Sequence, residues 1–144
     1  MEADGLFVYG TLREGGTGHA WLKRTNPIGT TTAYAPGRLF HLPGTGLAAM
    51  VPGSIPEALP PGAGWVVGEF IGYEDEEDLD SALDNLDQLE GLAEGRFERK
   101  MVPVLLVSGQ TYAAWAYVFP VERSLRLERE GVELLDGDWS GYLG

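Results

Sequence analysis

Short runs of apolar and aromatic residues recur along the chain and predict β-strands. The first, LFVYG (6–10), ends on a glycine, and WVVGEFIGY (65–73) is a second run rich in β-branched and aromatic residues. TTTAYA and GRLFHL predict two further strands, which Pro36 and Gly37 separate. Residues 43–64 are rich in proline and glycine and predict an irregular loop.

The second half of the chain predicts a β-hairpin. RFERKMVPVLLVS (96–108) and TYAAWAYVFP (111–120) are apolar runs on either side of a Ser-Gly-Gln turn. Pro103 lies inside the first run, which places it at a sheet edge or a bulge. The remaining tail, 121–144, is charged and carries apolar anchors at Trp139 and Tyr142.

Only one segment, about 75–90, has clear helical periodicity. Its first turn is crowded with acids, which the helix dipole favours there. Leu79, Leu83 and Leu86 recur at spacings of four and three and form one apolar stripe. Gly91 supplies a stop signal. Strands before and after one main helix predict an α+β fold with a curved or closed sheet.

Composition is that of an ordinary globular chain. With 144 residues, 44% apolar and 22% charged, the sequence predicts a single domain over 1–144. There is no cysteine, which excludes disulfides, thiolate zinc ligands and a cysteine nucleophile. The two histidines, His19 and His41, are not spaced as a metal-ligand pair and are interpreted as loop or strand-end residues. We therefore predict no metal site.

The formal net charge is −12, and much of it lies in one segment. Residues 74–90 hold nine acids and no base, which leaves 13 acids against 10 bases elsewhere. Such acidity argues against a nucleic acid partner, because phosphates repel it. No apolar run is long enough to span a membrane, and the first residues have no basic signal-peptide start. The expected location is the cytoplasm.

Glu90 is the first candidate for chemistry. It continues the leucine stripe at a spacing of four from Leu86, so its carboxyl should point where the leucines point. A carboxyl directed at apolar surroundings favours its protonated form, which raises its pKa toward the range useful for a general acid/base. The alternative is a frayed last turn, from which Glu90 would swing into solvent before Gly91.

The second candidate is YGTLR (9–13), at the end of the first predicted strand. A strand that ends on Tyr-Gly-Thr leaves backbone N–H groups without ladder partners, and Gly10 lets a ligand approach the backbone. Such a group of N–H donors suits a carboxylate or a developing oxyanion. The alternative is a plain turn from strand to loop.

Together these segments resemble the γ-glutamylcyclotransferase-like family, also called AIG2-like. The resemblance covers residues 6–119, with the motifs in the family's order and spacing. The segments that carry it are LFVYGTLREG (6–15), GRLF (37–40), VVGEF (66–70), LDNLDQLEG (83–91), FER (97–99) and AAWAYV (113–118).

The resemblance implies a small mixed β-barrel flanked by helices, with a cavity at one end. It implies that Tyr9, Gly10, Thr11 and Leu12 bind a γ-glutamyl group and that Glu90 is the acid/base. In the family's reaction the free α-amine of a γ-glutamyl group attacks its own γ-carbonyl, which releases 5-oxoproline and an amine. The resemblance implies no cofactor and a small-molecule γ-glutamyl substrate, and it leaves the leaving amine and the oligomeric state open.

The sequence departs from the family at Phe97, where members often have Tyr in a Tyr-x-Arg pattern. Phe97 keeps the ring and loses a hydroxyl. Tyr117, which shares a strand face with its neighbours at 115 and 119, is a candidate substrate-binding residue or ordinary core. Arg13 and Arg99 are candidate partners for a substrate carboxylate or for acids of the chain itself. Glu69, the in-strand acid of VVGEF, is interpreted as a structural residue or as one that supports the site without touching the substrate.

Two other functions stay open beside the cyclotransferase. The same reaction could remove a γ-glutamyl protecting group in secondary metabolism. Alternatively, the fold could serve as a non-catalytic module that binds a small ligand or a partner, since a fold does not determine a function.

Overall fold

The computed structural model describes residues 3–10, 27–42 and 47–139. Within these residues the chain forms seven β-strands and two α-helices, with a short 3₁₀ turn before the second helix. In chain order the elements are β1 (Gly5–Val8), β2 (Gly29–Leu42), β3 (Leu47–Pro52), β4 (Trp65–Gly72), α1 (Glu76–Leu89), β5 (Glu98–Leu106), β6 (Thr111–Val118), the 3₁₀ turn (Val121–Arg123), α2 (Ser124–Glu130) and β7 (Val132–Glu133).

Five of the strands close into a barrel. The order β2-β4-β1-β6-β5 is completed by pairing of β5 with β2, and β3 and β7 extend β2 beyond the barrel. The pair β1–β6 is parallel and the other pairs are antiparallel. Each barrel strand therefore has a partner on both sides over at least part of its length. The predicted α+β fold, a small mixed barrel flanked by helices, is confirmed.

The two strands expected on either side of Pro36 and Gly37 are one continuous strand, β2. The first half of β2 pairs with β4, up to Pro36 opposite Trp65, and the second half pairs with β3 from Gly37 onward. A Cβ at Gly37 would lie 2.5 Å from the carbonyl oxygen of Val51, so glycine permits the close approach of β3. The Pro-Gly pair therefore marks a change of partner and not the end of a strand.

The expected irregular loop over 43–64 also contains a strand, so that prediction is wrong for β3. β3 pairs with β2 from Pro52 opposite Gly37 to Leu47 opposite Leu42. Its sequence, LAAMVP, has no polar alternation and is short of β-branched residues, so the pattern did not indicate it. Residues 43–46 lie outside the described part of the chain.

The hairpin formed by β5 and β6 is confirmed. Leu105 pairs with Thr111, and Gly109 lies in the turn between the strands. Pro103 is exposed and lies opposite Ala113, in a part of β5 that pairs with β6 alone. This agrees with the predicted edge position, where a missing N–H costs no ladder bond.

The charged tail contains α2, which the sequence pattern did not predict. Leu127 of α2 is fully buried, and the 3₁₀ turn leads directly into the helix. Trp139 is buried as expected, with its ring 5.4 Å from that of His41. His41 lies near the end of β2, which agrees with its interpretation as a strand-end residue. His19 and Tyr142 lie outside the described residues.

Within the described ranges, the buried apolar residues form two clusters. One fills the barrel and includes Phe7, Tyr9 and Val66, and the other lies between the sheet and α1 and includes Leu83, Tyr117 and Phe119. Neither helix of the described chain is long and apolar enough to cross a bilayer.

Candidate active site

Helix α1 begins where its acids predict. Asp75 caps it, with its carboxylate accepting the N–H of Glu77 at 2.9 Å, and three acids occupy the first turn. Leu79, Leu83 and Leu86 are buried, so the predicted stripe is confirmed. The helix itself spans Glu76–Leu89, which leaves Glu90 as the C-cap residue.

The last turn of α1 is closed by two backbone hydrogen bonds. The N–H of Leu92 bonds the carbonyl of Asp87 at 3.0 Å, and the N–H of Gly91 bonds that of Gln88 at 3.2 Å. These two bonds form a Schellman motif, in which Gly91 adopts a φ of 70° that disfavours a side chain. The backbone of Glu90 is therefore held in place, which removes the geometric basis of the frayed-turn alternative.

The carboxyl of Glu90 lies in a partly buried environment. Burial raises the pKa of Glu90 above its ordinary value of 4.5, and the positive charge of Arg96 acts in the opposite direction. Arg96 folds over the helix end, since a Cβ at Gly91 would lie 3.0–3.3 Å from its side-chain atoms. The pKa of Glu90 is therefore displaced upward, which is the direction that favours proton transfer near neutral pH.

The elevated pKa of Glu90 predicts a pH-dependent stability. A carboxyl whose pKa is higher in the folded than in the unfolded state stabilises the fold below the unfolded pKa and loses this contribution as the pH rises through the folded pKa. We expect Glu90→Gln, which cannot ionise, to gain stability relative to the wild type as the pH rises from about 4 to about 8. Urea unfolding at both pH values measures this. A stability difference that does not change with pH, or that Glu94→Gln reproduces, contradicts the prediction.

The end of β1 positions the second candidate segment. β1 ends at Val8, two residues earlier than the predicted strand, and its ladder with β4 ends at the pair of Val8 and Glu69. Tyr9 and Gly10 therefore lie beyond the ladder. A Cβ at Gly10 would be 3.2 Å from the Cβ of Ala48, so the backbone approaches β3 closely here. Thr11, Leu12 and Arg13, the rest of the candidate segment, lie outside the described residues.

The side chain of Tyr9 ties three strands together. Its hydroxyl donates to the carbonyl of Tyr117 in β6 and accepts the N–H of Met50 in β3 at 3.3 Å. Phe119 completes the bridge, because its N–H bonds the carbonyl of Met50 at 2.8 Å. The hydroxyl of Tyr9 is buried and bonded to the backbone of two other strands. A ligand at this segment would therefore bind the backbone of Tyr9 and Gly10 and not the Tyr9 hydroxyl.

The two candidate segments interact electrostatically. Burial above all, and the negative charge of Glu90 after it, raise the pKa of Tyr9 above its ordinary value of 10.0, while the N–H of Met50 acts in the opposite direction. Glu90 is therefore close enough to the Tyr9 phenol for its charge to act on it. The residues are 81 positions apart in the chain, and the fold brings the end of α1 to the end of β1.

The hydroxyl of Tyr117 forms contacts with helix α1. Its hydroxyl donates to Oδ1 of Asp87 at 2.7 Å and lies 3.4 Å from the carbonyl of Leu83. Burial and the bond to Asp87 raise the pKa of Tyr117, and Arg99 lowers it. Tyr117 shares the sheet face of Phe119, as predicted, and packs against α1. Its hydroxyl is directed at the helix.

Arg99 pairs with an acid of the chain. Its Nη1 lies 3.2 Å from Oδ2 of Asp87, and its guanidinium lies 5.0 Å from the ring centre of Trp115. Phe97 is buried, with its ring edge-on to that of Phe119 at 6.3 Å. Both residues line an open cleft of about 540 Å³ that also reaches Arg123, and neither Glu90 nor Tyr9 lines this cleft.

Two residues near the site escaped the sequence analysis, namely Asp87 and Arg96. The place of Asp87 could have been predicted from the sequence, because it lies four residues after Leu83 and three before Glu90, on the same helix face. The place of Arg96 could not have been predicted, since its position over Gly91 depends on the turn that follows α1. Across residues 3–10, 27–42 and 47–139, no three acidic or histidine side chains are grouped to hold a metal ion.

Comparison with known proteins assigns the chain to a family. The family model described as gamma-glutamyl cyclotransferase, AIG2-like, matches residues 6–141. The chain belongs to this family. The match includes both the end of β1 and the end of α1, where the family resemblance places its motifs. No curated protein matches the chain at the level of sequence.

Solved structures share the fold of this AIG2-like chain. YkqA from Bacillus subtilis is 24% identical with a TM-score of 0.63, over 98% of this chain and 41% of its own. The chain thus spans less than half of YkqA. An AIG2-like protein from Mus musculus is 18% identical with a TM-score of 0.55, over 82% of this chain and 78% of its own. At these identities the likeness concerns the fold alone.

Proposed function

We propose that the protein is a γ-glutamyl cyclotransferase that converts a γ-glutamyl amine or peptide into 5-oxoproline and a free amine. The observation that carries this proposal is the partly buried carboxyl of Glu90 at the fixed end of α1, near enough to Tyr9 for its charge to act on the phenol, whose pKa burial and this charge raise. Family membership supports the same class of chemistry.

The proposed reaction has four requirements: a folded substrate, a base for the α-amine, a site for the oxyanion and an acid for the leaving nitrogen. The α-nitrogen of the substrate forms a bond to its own γ-carbonyl carbon, and the bond from that carbon to the leaving nitrogen breaks. Glu90 takes a proton from the attacking nitrogen and returns one to the leaving nitrogen. The overall change needs no other reactant.

The backbone after β1 is the proposed binding site for the γ-glutamyl group. Tyr9 and Gly10 lie beyond the sheet ladder, and the segment from Tyr9 to Leu12 would supply N–H groups to the substrate and to the developing oxyanion. Both reacting groups belong to one flexible molecule, so holding the attacking nitrogen near the carbonyl selects the reactive conformation, which is a large part of the rate that such a site can provide.

The test is a panel of γ-glutamyl compounds, with 5-oxoproline detected by mass spectrometry. The panel contains γ-glutamyl amines, γ-glutamyl amino acids and larger γ-glutamyl conjugates that represent protecting-group removal. We expect 5-oxoproline in equal amount to the released amine for at least one class, and none with Glu90→Gln. Binding of these compounds without any 5-oxoproline would overturn the proposal in favour of a non-catalytic binding module.

A further inference from the structure

All three oxygen atoms of Asp87, near the end of α1, take part in a hydrogen bond or an ion pair. Oδ1 accepts the hydroxyl of Tyr117 at 2.7 Å, and Oδ2 lies 3.2 Å from Nη1 of Arg99. Its backbone carbonyl accepts the N–H of Leu92. The carboxylate is therefore bound to the β5–β6 hairpin, while the carbonyl closes the turn that contains Glu90.

The two side chains that hold Asp87 come from one point of the hairpin. Arg99 and Tyr117 lie directly opposite each other in the β5–β6 register. Arg99 is itself stacked over Trp115, which limits the directions in which its guanidinium can point. A charge-assisted bond to a rigid hairpin fixes a helix end more firmly than apolar packing alone, because it has a direction.

Tyr117 also connects this contact to the second candidate segment. Its side chain bonds Asp87, three residues before Glu90, and its backbone carbonyl accepts the hydroxyl of Tyr9. One residue of β6 therefore touches both the end of α1 and the end of β1. This shared anchor links the end of α1 to the end of β1.

We infer that Asp87 is a positioning residue for the proposed reaction, which holds Glu90 in register with the end of β1 through Tyr117 and Arg99. This inference rests on the proposed function. Asp87 does not touch the substrate in this role. A displacement of the acid/base by about 1 Å costs on the order of 10²-fold in rate, so a contact that fixes the last turn of α1 has a kinetic effect beyond its effect on stability.

The test compares Asp87→Ala with Asp84→Ala, which removes an exposed acid from the same helix. We expect Asp87→Ala to lower kcat by about 10- to 100-fold with KM within about threefold, and Asp84→Ala to change neither. Asp87→Asn, which keeps an acceptor for Tyr117, should recover part of kcat. An Asp87→Ala variant that melts at a lower temperature but keeps kcat within about twofold of the wild type would make Asp87 merely structural and overturn the inference.

Tyr117→Phe by itself keeps the test valid if Asp87→Ala folds poorly, and where Asp87→Ala folds, the two changes form a double-mutant cycle. Tyr117→Phe alone should lower kcat by about tenfold, and adding it to Asp87→Ala should lower kcat little further, because both changes remove the same contact. Independent, multiplying effects on kcat would overturn the inference. A wild type that forms no 5-oxoproline from any panel compound overturns the proposed function, whereas wild-type turnover with an unaffected Tyr117→Phe overturns the role of the contact only.

Discussion

Replacing Glu90 by glutamine is expected to lower kcat on the best γ-glutamyl substrate by about 10²- to 10⁴-fold or more, while the protein stays folded. Glutamine keeps the shape of the side chain and can form hydrogen bonds, but it cannot carry a proton. In the proposed reaction one carboxyl serves two proton transfers, so the upper end of this range is expected. The measurement is kcat from 5-oxoproline release, beside the thermal midpoint of unfolding.

The matched control is Glu94→Gln, which removes an exposed charge four residues further along the chain. It should leave kcat unchanged. At neutral pH the midpoint of Glu90→Gln should not fall, because a neutral amide is less costly to bury than a carboxylate. A kcat near that of the wild type would move the chemistry to another residue, and a collapsed midpoint would make Glu90 structural.

The position of Glu90 could be predicted because its determinants are local. A helical stripe depends only on spacing along the chain, so Leu79, Leu83 and Leu86 predict where the next side chain on that face points. Gly91 likewise predicts the end of the helix by its own conformational freedom. The burial of the three leucines follows directly from these patterns, and so does the raised pKa of Glu90.

The partners of Tyr117 and the course of β2 could not be predicted, because they depend on contacts between distant segments. Strand alternation assigns Tyr117 to a face but does not say that Asp87, 30 residues earlier, receives its hydroxyl. Pro36 and Gly37 have the local signature of a break, yet β2 continues through them because β3 replaces β4 as its partner. Local patterns predicted a curved or closed sheet, and only the resemblance to the family predicted a barrel.

Replacing Tyr9 by phenylalanine is expected to lower the free energy of unfolding by about 2–4 kcal/mol. The hydroxyl of Tyr9 is a donor to the carbonyl of Tyr117 and an acceptor for the N–H of Met50, and all three groups are buried. Phenylalanine keeps the ring in the core and leaves two backbone groups without this partner. Because the contact from Met50 is long, at 3.3 Å, we take the lower part of the usual cost, about 1–2 kcal/mol for each group. Urea unfolding measures the change, and the corresponding loss in thermal midpoint is about 6–12 °C.

Tyr34→Phe is the matched control, because it removes the same hydroxyl from a barrel strand. Within the described part of the chain, Tyr34 makes no hydrogen bond through its hydroxyl, so its removal should change stability by less than about 0.5 kcal/mol. The Tyr9 variant should also lose kcat, since β1, β3 and β6 no longer share an anchor beside Glu90, but it should lose less than Glu90→Gln because the carboxyl remains. Equal stability of the Tyr9 and Tyr34 variants would mean that water replaces the hydroxyl and that the bridge between the strands does not depend on it.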